Sequence, residues 1–268
     1  MSSSDGTVLA DSLVEPNEGP ILLDGRGDEP AYAEVRIFYA TDRNDTGRSE
    51  SDLRFGSGRG SGVVYGSCTV SIPRDHRMGE LERPSVLRFQ FRENPEKHVV
   101  LLKIDDYEAD EFFERVSAKA GASDSSEAFV FVHGYNVSFD AAARRTAQMT
   151  YDLGFKGAPV MYSWPSRGAL SAYGADETTI KWATPHIAQF LKDIANRTEA
   201  ETIHLIAHSM GNRGLTAALT QLVDEGEVDV LRKFKEIILT APDIDADIFK
   251  RDILPKITTD RRVTLYAS

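Results

Sequence analysis

Apolar and polar positions change rhythm along this chain, and each change marks an element. From residue 128 onward the rhythm is regular. Residues 128–132, 159–164, 203–207 and 237–240 are near-continuous apolar runs of strand length, the pattern of strands covered on both faces in a parallel sheet. Between them lie stretches with helical spacing. Residues 138–153 form one. Residues 176–195 form another, with Ile180, Ala183, Ile187, Leu191 and Ile194 on one face, and Pro185 there either kinks the helix or opens a second one. Residues 215–223 and a short segment at 247–253 are further helices, and 262–266 is a last strand.

The first half is less regular and rich in strand signals. Residues 35–40 read as a strand followed by a polar turn at 41–45. Gly56, Gly58, Gly60 and Gly62 suggest a flexible surface loop; their spacing does not match a phosphate cradle, and no helix follows. Residues 63–72, ending at Pro73, then 86–91 and 99–104 read as strands, and 105–120 as a helix with Tyr107, Phe112, Val116 and Ala120 at helical spacing. His76 stands in a polar loop as a lone surface histidine without a role. Residues 1–30 hold seven acidic residues, one arginine and no periodicity, and are expected to be a disordered acidic tail. Strands alternating with helices imply right-handed βαβ units. The expectation is one α/β domain over 31–268, with a mostly parallel central sheet and helices on both faces.

One stretch carries chemistry. A short buried strand at 203–207 leads through His208-Ser209-Met210-Gly211 into a helical pattern. A serine between small residues, with a strand before and a helix after, is the context of a nucleophile elbow. Ala207 and Gly211 fill the two small positions. The tight bend lifts the Ser209 hydroxyl to the end of the strand. The backbone N–H of Met210 then faces a developing oxyanion. A second donor must come from another segment. His133-Gly134-Tyr135-Asn136 ends an earlier buried strand, which makes the Tyr135 N–H the candidate; the alternative is an ordinary turn using Gly134 and Asn136. Trp164, Tyr173 and Trp182 are either core residues or the lining of an acyl pocket.

Several short motifs in order are similar to those of the serine α/β-hydrolase superfamily, and more narrowly of a bacterial esterase/lipase-like branch catalogued as a domain of unknown function. They are Tyr39-Ala40-Thr41-Asp42-Arg43-Asn44, Tyr65-Gly66 leading to Val70-Ser71-Ile72-Pro73, Phe131-Val132-His133-Gly134-Tyr135-Asn136, Ser163-Trp164-Pro165-Ser166, Ala207-His208-Ser209-Met210-Gly211-Asn212 and Ala241-Pro242-Asp243-Ile244-Asp245. The resemblance implies an α/β-hydrolase fold and a Ser209 nucleophile, and it implies no particular substrate.

A serine nucleophile needs a base and an acid, which in this fold follow it in the order acid, then histidine. Fifty-nine residues follow Ser209 and none is histidine; His76, His98, His133, His186, His204 and His208 all precede it. In the family, the strand at 262–266 leads to an acid, a last strand and a histidine, so the sequence reads as C-terminally truncated or diverged, lacking its last strand. Asp243 and Asp245 are fallback acids, and both equally suit a helix N-terminus. Ile248 and Leu254 stand where a calcium loop needs glycine and glutamate.

Composition narrows the function classes. A net charge of −11 argues against nucleic acid or an anionic membrane as partner. The single cysteine, Cys68, excludes an internal disulfide and reads as a buried strand residue. No apolar run approaches the roughly 20 residues of a membrane span, and the N-terminus lacks the features of a secretory signal, so the cytoplasm is the expected compartment. The expected activity is hydrolysis of a small acyl or ester substrate with no metal and no cofactor, impaired in this chain by the missing histidine. A non-catalytic module of the same fold, and a peptidase or thioesterase on the same machinery, are the competing readings.

Overall fold

The computed structural model describes residues 31–83, 93–167, 172–258 and 261–267. The expected acidic tail at 1–30 and the strand expected at 86–91 lie outside the described residues. Eight strands form one sheet: β1 (Tyr32–Asp45), β2 (Phe55–Pro73), β3 (Val100–Tyr107), β4 (Glu127–Val132), β5 (Ala158–Ser163), β6 (Thr202–His208), β7 (Phe234–Thr240) and β8 (Arg262–Tyr266). Their order is β3-β2-β1-β5-β4-β6-β7-β8. Every pair from β1 to β8 is parallel, while β2 runs antiparallel to both β1 and β3. The sheet is therefore mostly parallel, and the parallel strands all end at the same edge.

Alternation along the strands divides the core. Phe38, Ala40, Val130, Val132, Val160 and Leu205 pack on one face, against α1 (Ala109–Gly121), α3 (Tyr173–Arg197) and α4 (Gly211–Asp224). Val35, Ile37, Tyr39, Cys68 and Met161 pack on the other face, against α2 (Phe139–Asp152). Ser138 caps α2 by accepting from the Ala141 N–H at 3.2 Å. Helices thus cover both faces, and burying both sides of the central strands is what their uniform apolar runs require. Among the described residues no helix is long and apolar enough to cross a membrane.

Four local expectations are corrected. The polar turn at 41–45 is the end of β1, and Thr41, Asp42 and Arg43 are buried. The glycines at 56–62 are not a flexible loop but the first part of β2, which pairs with that extended end of β1. A Cβ at Gly58 would lie 2.8 Å from the Asn44 side chain, and one at Gly60 2.7 Å from the Arg43 carbonyl oxygen, so glycine permits close pairing here. The helix expected at 105–120 starts only at Ala109, because Asp105, Asp106 and Tyr107 complete β3 by pairing with β2. The helix after the elbow begins at Gly211, one turn earlier than apolar spacing suggested, since its first turn is shaped by backbone contact and not by a hydrophobic stripe. At Pro185 the two alternatives resolve to one continuous 25-residue helix.

Arg43 is the clamp of the carboxyl edge. Its guanidinium donates from Nε to Ser163 Oγ (2.9 Å), from Nη1 to the carbonyls of Gly56 (3.0 Å) and Ser166 (3.1 Å), and from Nη2 to the Val137 carbonyl (2.7 Å) and His133 Nε2 (3.3 Å). It thereby joins β2, the loop after β4 and the loop after β5. Ser166 extends the clamp: its hydroxyl donates to buried Asp176 of α3 at 2.6 Å.

His76 is also not incidental. Its Nδ1 lies 2.8 Å from Glu82 and its Nε2 2.7 Å from Asp152 at the end of α2, with 2% of its side chain exposed. Burial alone would lower its pKa, but hydrogen bonds and charge from Glu82 and Asp152 outweigh that and raise it. The Glu82 pKa is lowered: burial opposes the shift, and the bond with His76 and backbone N–H bonds overcome it.

Two predictions follow from these clamps. Arg43→Lys keeps the charge, but an ammonium has three donors for five acceptors. At least two acceptors are orphaned, at about 1–3 kcal/mol each, so urea unfolding should show a loss of about 2–6 kcal/mol; an unchanged midpoint and slope would refute the clamp. For His76, the raised folded pKa means that its contribution is fully present below the unfolded value of about 6.5 and is lost as pH rises through the folded value. The lowered Glu82 pKa adds a second loss at acid pH, as pH falls through its folded value. The Tm difference between wild type and His76→Gln should therefore be greatest between these limits and shrink on the alkaline side; a pH-independent difference would contradict it.

Candidate active site

The turn between β6 and α4 is strained. Ser209 has φ +50°, in the left-handed region, and Met210 returns to helical dihedrals (φ −60°, ψ −23°). That conformation costs a serine about 1–2 kcal/mol and persists only where the surroundings hold it. Here they do. The Ser209 N–H donates to the Thr240 carbonyl at 3.0 Å. The Ser209 carbonyl accepts from Asn212 Nδ2 at 2.7 Å and from the Asp243 N–H at 3.4 Å. Asn212, fully buried, also donates to the Thr240 carbonyl at 3.1 Å. The elbow is thus tied to the end of β7.

The loop after β4 presses directly on the elbow. A Cβ at Gly134 would lie 2.9 Å from Ser209 Cβ and 3.0 Å from the His208 carbonyl oxygen. A Cβ at Gly211 would lie 2.5 Å from the carbonyl oxygens of both Val132 and His133. Neither glycine has a positive φ; each is required by close approach. Among the described residues, neither the Tyr135 N–H nor the Met210 N–H has a hydrogen-bond acceptor, and the Ser209 hydroxyl has no partner.

The two aspartates separate. Asp243 accepts from the Tyr173 hydroxyl at 2.7 Å and from Arg213 Nη2 at 3.1 Å. Arg213 also donates from Nε to the Asp243 carbonyl (2.5 Å) and from Nη1 to Glu177 (2.5 Å). The bond to Asp243, and then burial, raise the Tyr173 pKa, so Tyr173 stays a donor. The Tyr173 ring meets the Tyr135 ring edge to face at 5.4 Å. Asp245 instead accepts from the N–H groups of Asp247 and Ile248, both at 3.0 Å, and caps the helical segment 246–257. The structure thus brings Ser209, Met210, Tyr135 and Asp243 together and turns Asp245 to a helix end.

Five of the six histidines are engaged by other partners, and His208 is the exception. His133 is buried, stacked on Trp164 at 5.3 Å, with Nδ1 2.8 Å from the Gly134 carbonyl. Desolvation and then the Arg43 charge push its pKa down to about 3. Neutral His133 donates from Nδ1 and accepts at Nε2 from Arg43. His208 is the last residue of β6, next to Ser209; a Cβ at Gly134 would lie 3.0 Å from its Nδ1, and its pKa is lowered by desolvation and then by Arg145. His186 pairs with buried Asp42 at 3.0 Å, and His204 lies 3.5 Å from Glu127. His98 accepts at Nδ1 from the Asn94 N–H. Of the three aromatics named from sequence, Trp164 is core and donates from its indole to the His133 carbonyl at 2.7 Å, Tyr173 stands at Asp243, and Trp182 packs on His186 beneath Arg59.

Sequence reasoning passed over Arg43, Asn212 and Arg213 as parts of the site. Arg213 had a signal, since it stands four residues after Ser209 and so returns to the same side of the new helix. Arg43 had a weaker one, as part of the quoted Tyr39–Asn44 motif, but its composition reads as a turn.

A family match agrees with this architecture. Residues 108–268 match the family described as "Alpha/beta hydrolase of unknown function (DUF900)". Over 66 residues, 25% of this chain, the sequence is 35% identical to the "Uncharacterized protein alr1448" of Nostoc sp. (strain PCC 7120), and the match covers 17% of that protein. Two solved structures of the esterase Est22 are similar at 13% and 12% identity, each with a TM-score of 0.29. Those matches cover 79% and 87% of this chain and 45% and 51% of theirs. The chain thus spans well under two thirds of the length of these proteins. The family match extends over more than half of the chain and includes the β6–α4 turn: the chain belongs to the alpha/beta hydrolase family of unknown function DUF900.

Proposed function

We propose that this chain acts as a serine hydrolase on carboxylic esters or related acyl compounds. Ser209 is the nucleophile, and the N–H groups of Tyr135 and Met210 stabilise the oxyanion. The observation that carries this reading is the left-handed Ser209 (φ +50°) held against Gly134 of a second loop. A scaffold has no need of a serine strained in this way. Attack of Oγ on an acyl carbon moves negative charge onto the carbonyl oxygen. Two preorganised donors from separate segments are worth most where that charge develops. Asp243 is the better candidate acid, because its backbone is bonded to Ser209 and its carboxylate is fixed by two donors; Asp245 is the alternative. The chemistry asks for no metal and no organic cofactor.

A second reading, a non-catalytic binding module of hydrolase fold, is favoured by one observation. Among the described residues no imidazole is hydrogen-bonded to the Ser209 hydroxyl. Triad members act as a unit, so turnover without the base falls by about 10⁶ in kcat, leaving about 10³–10⁴-fold over water from the oxyanion donors and binding.

Labelling with a fluorophosphonate, read by intact mass, separates the readings. We expect one adduct per wild-type chain and none on Ser209→Ala, with ester turnover far below that of a complete triad. Absence of any adduct would favour the binding module. An adduct that survives Ser209→Ala would place the nucleophile elsewhere. Gly134→Ala should slow labelling by about 10²-fold, the usual consequence of displacing a reacting group by about 1 Å. Equal rates in Gly134→Ala and wild type would remove the loop from the site.

A further inference from the structure

One imidazole beside the elbow is uncommitted. Among the described residues His208 has no hydrogen bond and no ion pair, and it stands exposed at the end of β6. No other histidine is free to serve Ser209. His133 is saturated by Arg43 and the Gly134 carbonyl. His186 is held by Asp42 of β1, which lies three strands from β6 in the sheet, about 14 Å.

In a regular strand neighbouring side chains point to opposite faces. The left-handed Ser209 breaks that alternation. The point where a Gly134 Cβ would stand is 2.9 Å from Ser209 Cβ and 3.0 Å from His208 Nδ1. The ring nitrogen and Ser209 Cβ are therefore no more than about 6 Å apart, a span that one water bonded to both side chains covers at about 2.8 Å per bond. The missing side chain at Gly134 keeps the space between them clear. The titratable and charged groups that face His208 are Arg145 of α2 and His133 of the loop after β4, and neither is a carboxylate. Desolvation and then Arg145 lower the His208 pKa, so at neutral pH the ring is a free base with one nitrogen able to accept. The same cation opposes the imidazolium that acceptance creates, which makes His208 a weaker base than one braced by an acid.

We propose that His208 Nδ1 accepts the Ser209 proton through one bridging water. The assignment rests on Ser209 being the nucleophile. With an ester, the Oγ–C bond forms, the carbonyl electron pair moves to oxygen, and the Oγ proton passes by way of the water to Nδ1. When the intermediate collapses, the alkoxide leaves with its bonding pair and takes that proton. With a fluorophosphonate, the Oγ–P bond forms, fluoride leaves with the P–F pair, and the proton stays on Nδ1.

Fluorophosphonate labelling of the whole chain is followed by intact mass from acid to mildly alkaline pH. The wild-type rate should rise with pH through one midpoint below the unperturbed histidine value of about 6.5. His208→Gln should lose that rise and label about 10²-fold more slowly. His208→Ala should regain rate when imidazole is added. Arg145→Gln removes the charge that opposes the imidazolium, so its midpoint should move up; His208 stays in place there, and this variant tests the base even where a His208 variant folds poorly. The wild-type profile persisting in His208→Gln, no rescue of His208→Ala by imidazole, or an unmoved midpoint in Arg145→Gln overturns the proton acceptor and leaves Ser209 as nucleophile. No labelling of wild type at any pH sinks the Ser209 reading and the proton acceptor with it.

Discussion

A buried guanidinium holds the working edge of this molecule in place. Desolvation pushes the Arg43 pKa down, while the charges of Asp42 and Asp176 pull it back. Its burial is tolerated because all five donors point at acceptors in three different segments. A planar fork fixes directions as well as charge, which a flexible ammonium does not. Among the described residues no backbone hydrogen bond joins the loop after β4, the loop after β5 and the glycine-rich start of β2 to one another. Arg43 supplies the common anchor that sets their mutual positions.

That anchor dictates the state of His133. A cation 3.3 Å from Nε2 excludes a second positive charge on the ring, so the imidazole is neutral and receives at Nε2. Its proton then sits on Nδ1 and is donated to the Gly134 carbonyl. One charge thus fixes one tautomer, and the tautomer fixes the peptide that carries Gly134 against Ser209. Trp164 completes the arrangement by stacking on the ring and donating to the His133 carbonyl. The His-Gly motif is therefore a device for placing backbone, and its histidine takes no proton from the serine.

The parts legible in the sequence were those written in a period or in a steric necessity. The uniform runs at β4, β5, β6 and β7 specify strands buried on both faces, and Ala207 and Gly211 around Ser209 specify a turn too tight for larger residues. What was not legible depends on distant partners. Thr41-Asp42-Arg43 has the composition of a turn and becomes a buried strand end because acceptors from other segments wait for it. Gly56–Gly62 looks flexible until Arg43 and Asn44 are laid against it. Tyr107 falls in helical register with Phe112 and Val116, yet β2 claims it as a strand residue. His76 is bland in its own loop and is defined by Asp152, seventy-six residues away.

The elbow and Asp243 form one rigid unit. The strain at Ser209 is offset by bonds to Thr240, Asn212 and Asp243, so displacing β7 displaces the serine. Ala241, at φ +42°, is strained in the same way at the end of the neighbouring strand, and its N–H donates to the Tyr266 carbonyl of β8. The position of Asp243 is therefore set by the same strand ends that set the serine. Its two oxygens each accept one bond, from Tyr173 and from Arg213. A carboxylate accepts about four, and with 28% of this side chain exposed, lone pairs remain for an imidazole N–H. Tyr173 and Arg213 orient the carboxylate without saturating it, which is what the acid role proposed for Asp243 requires.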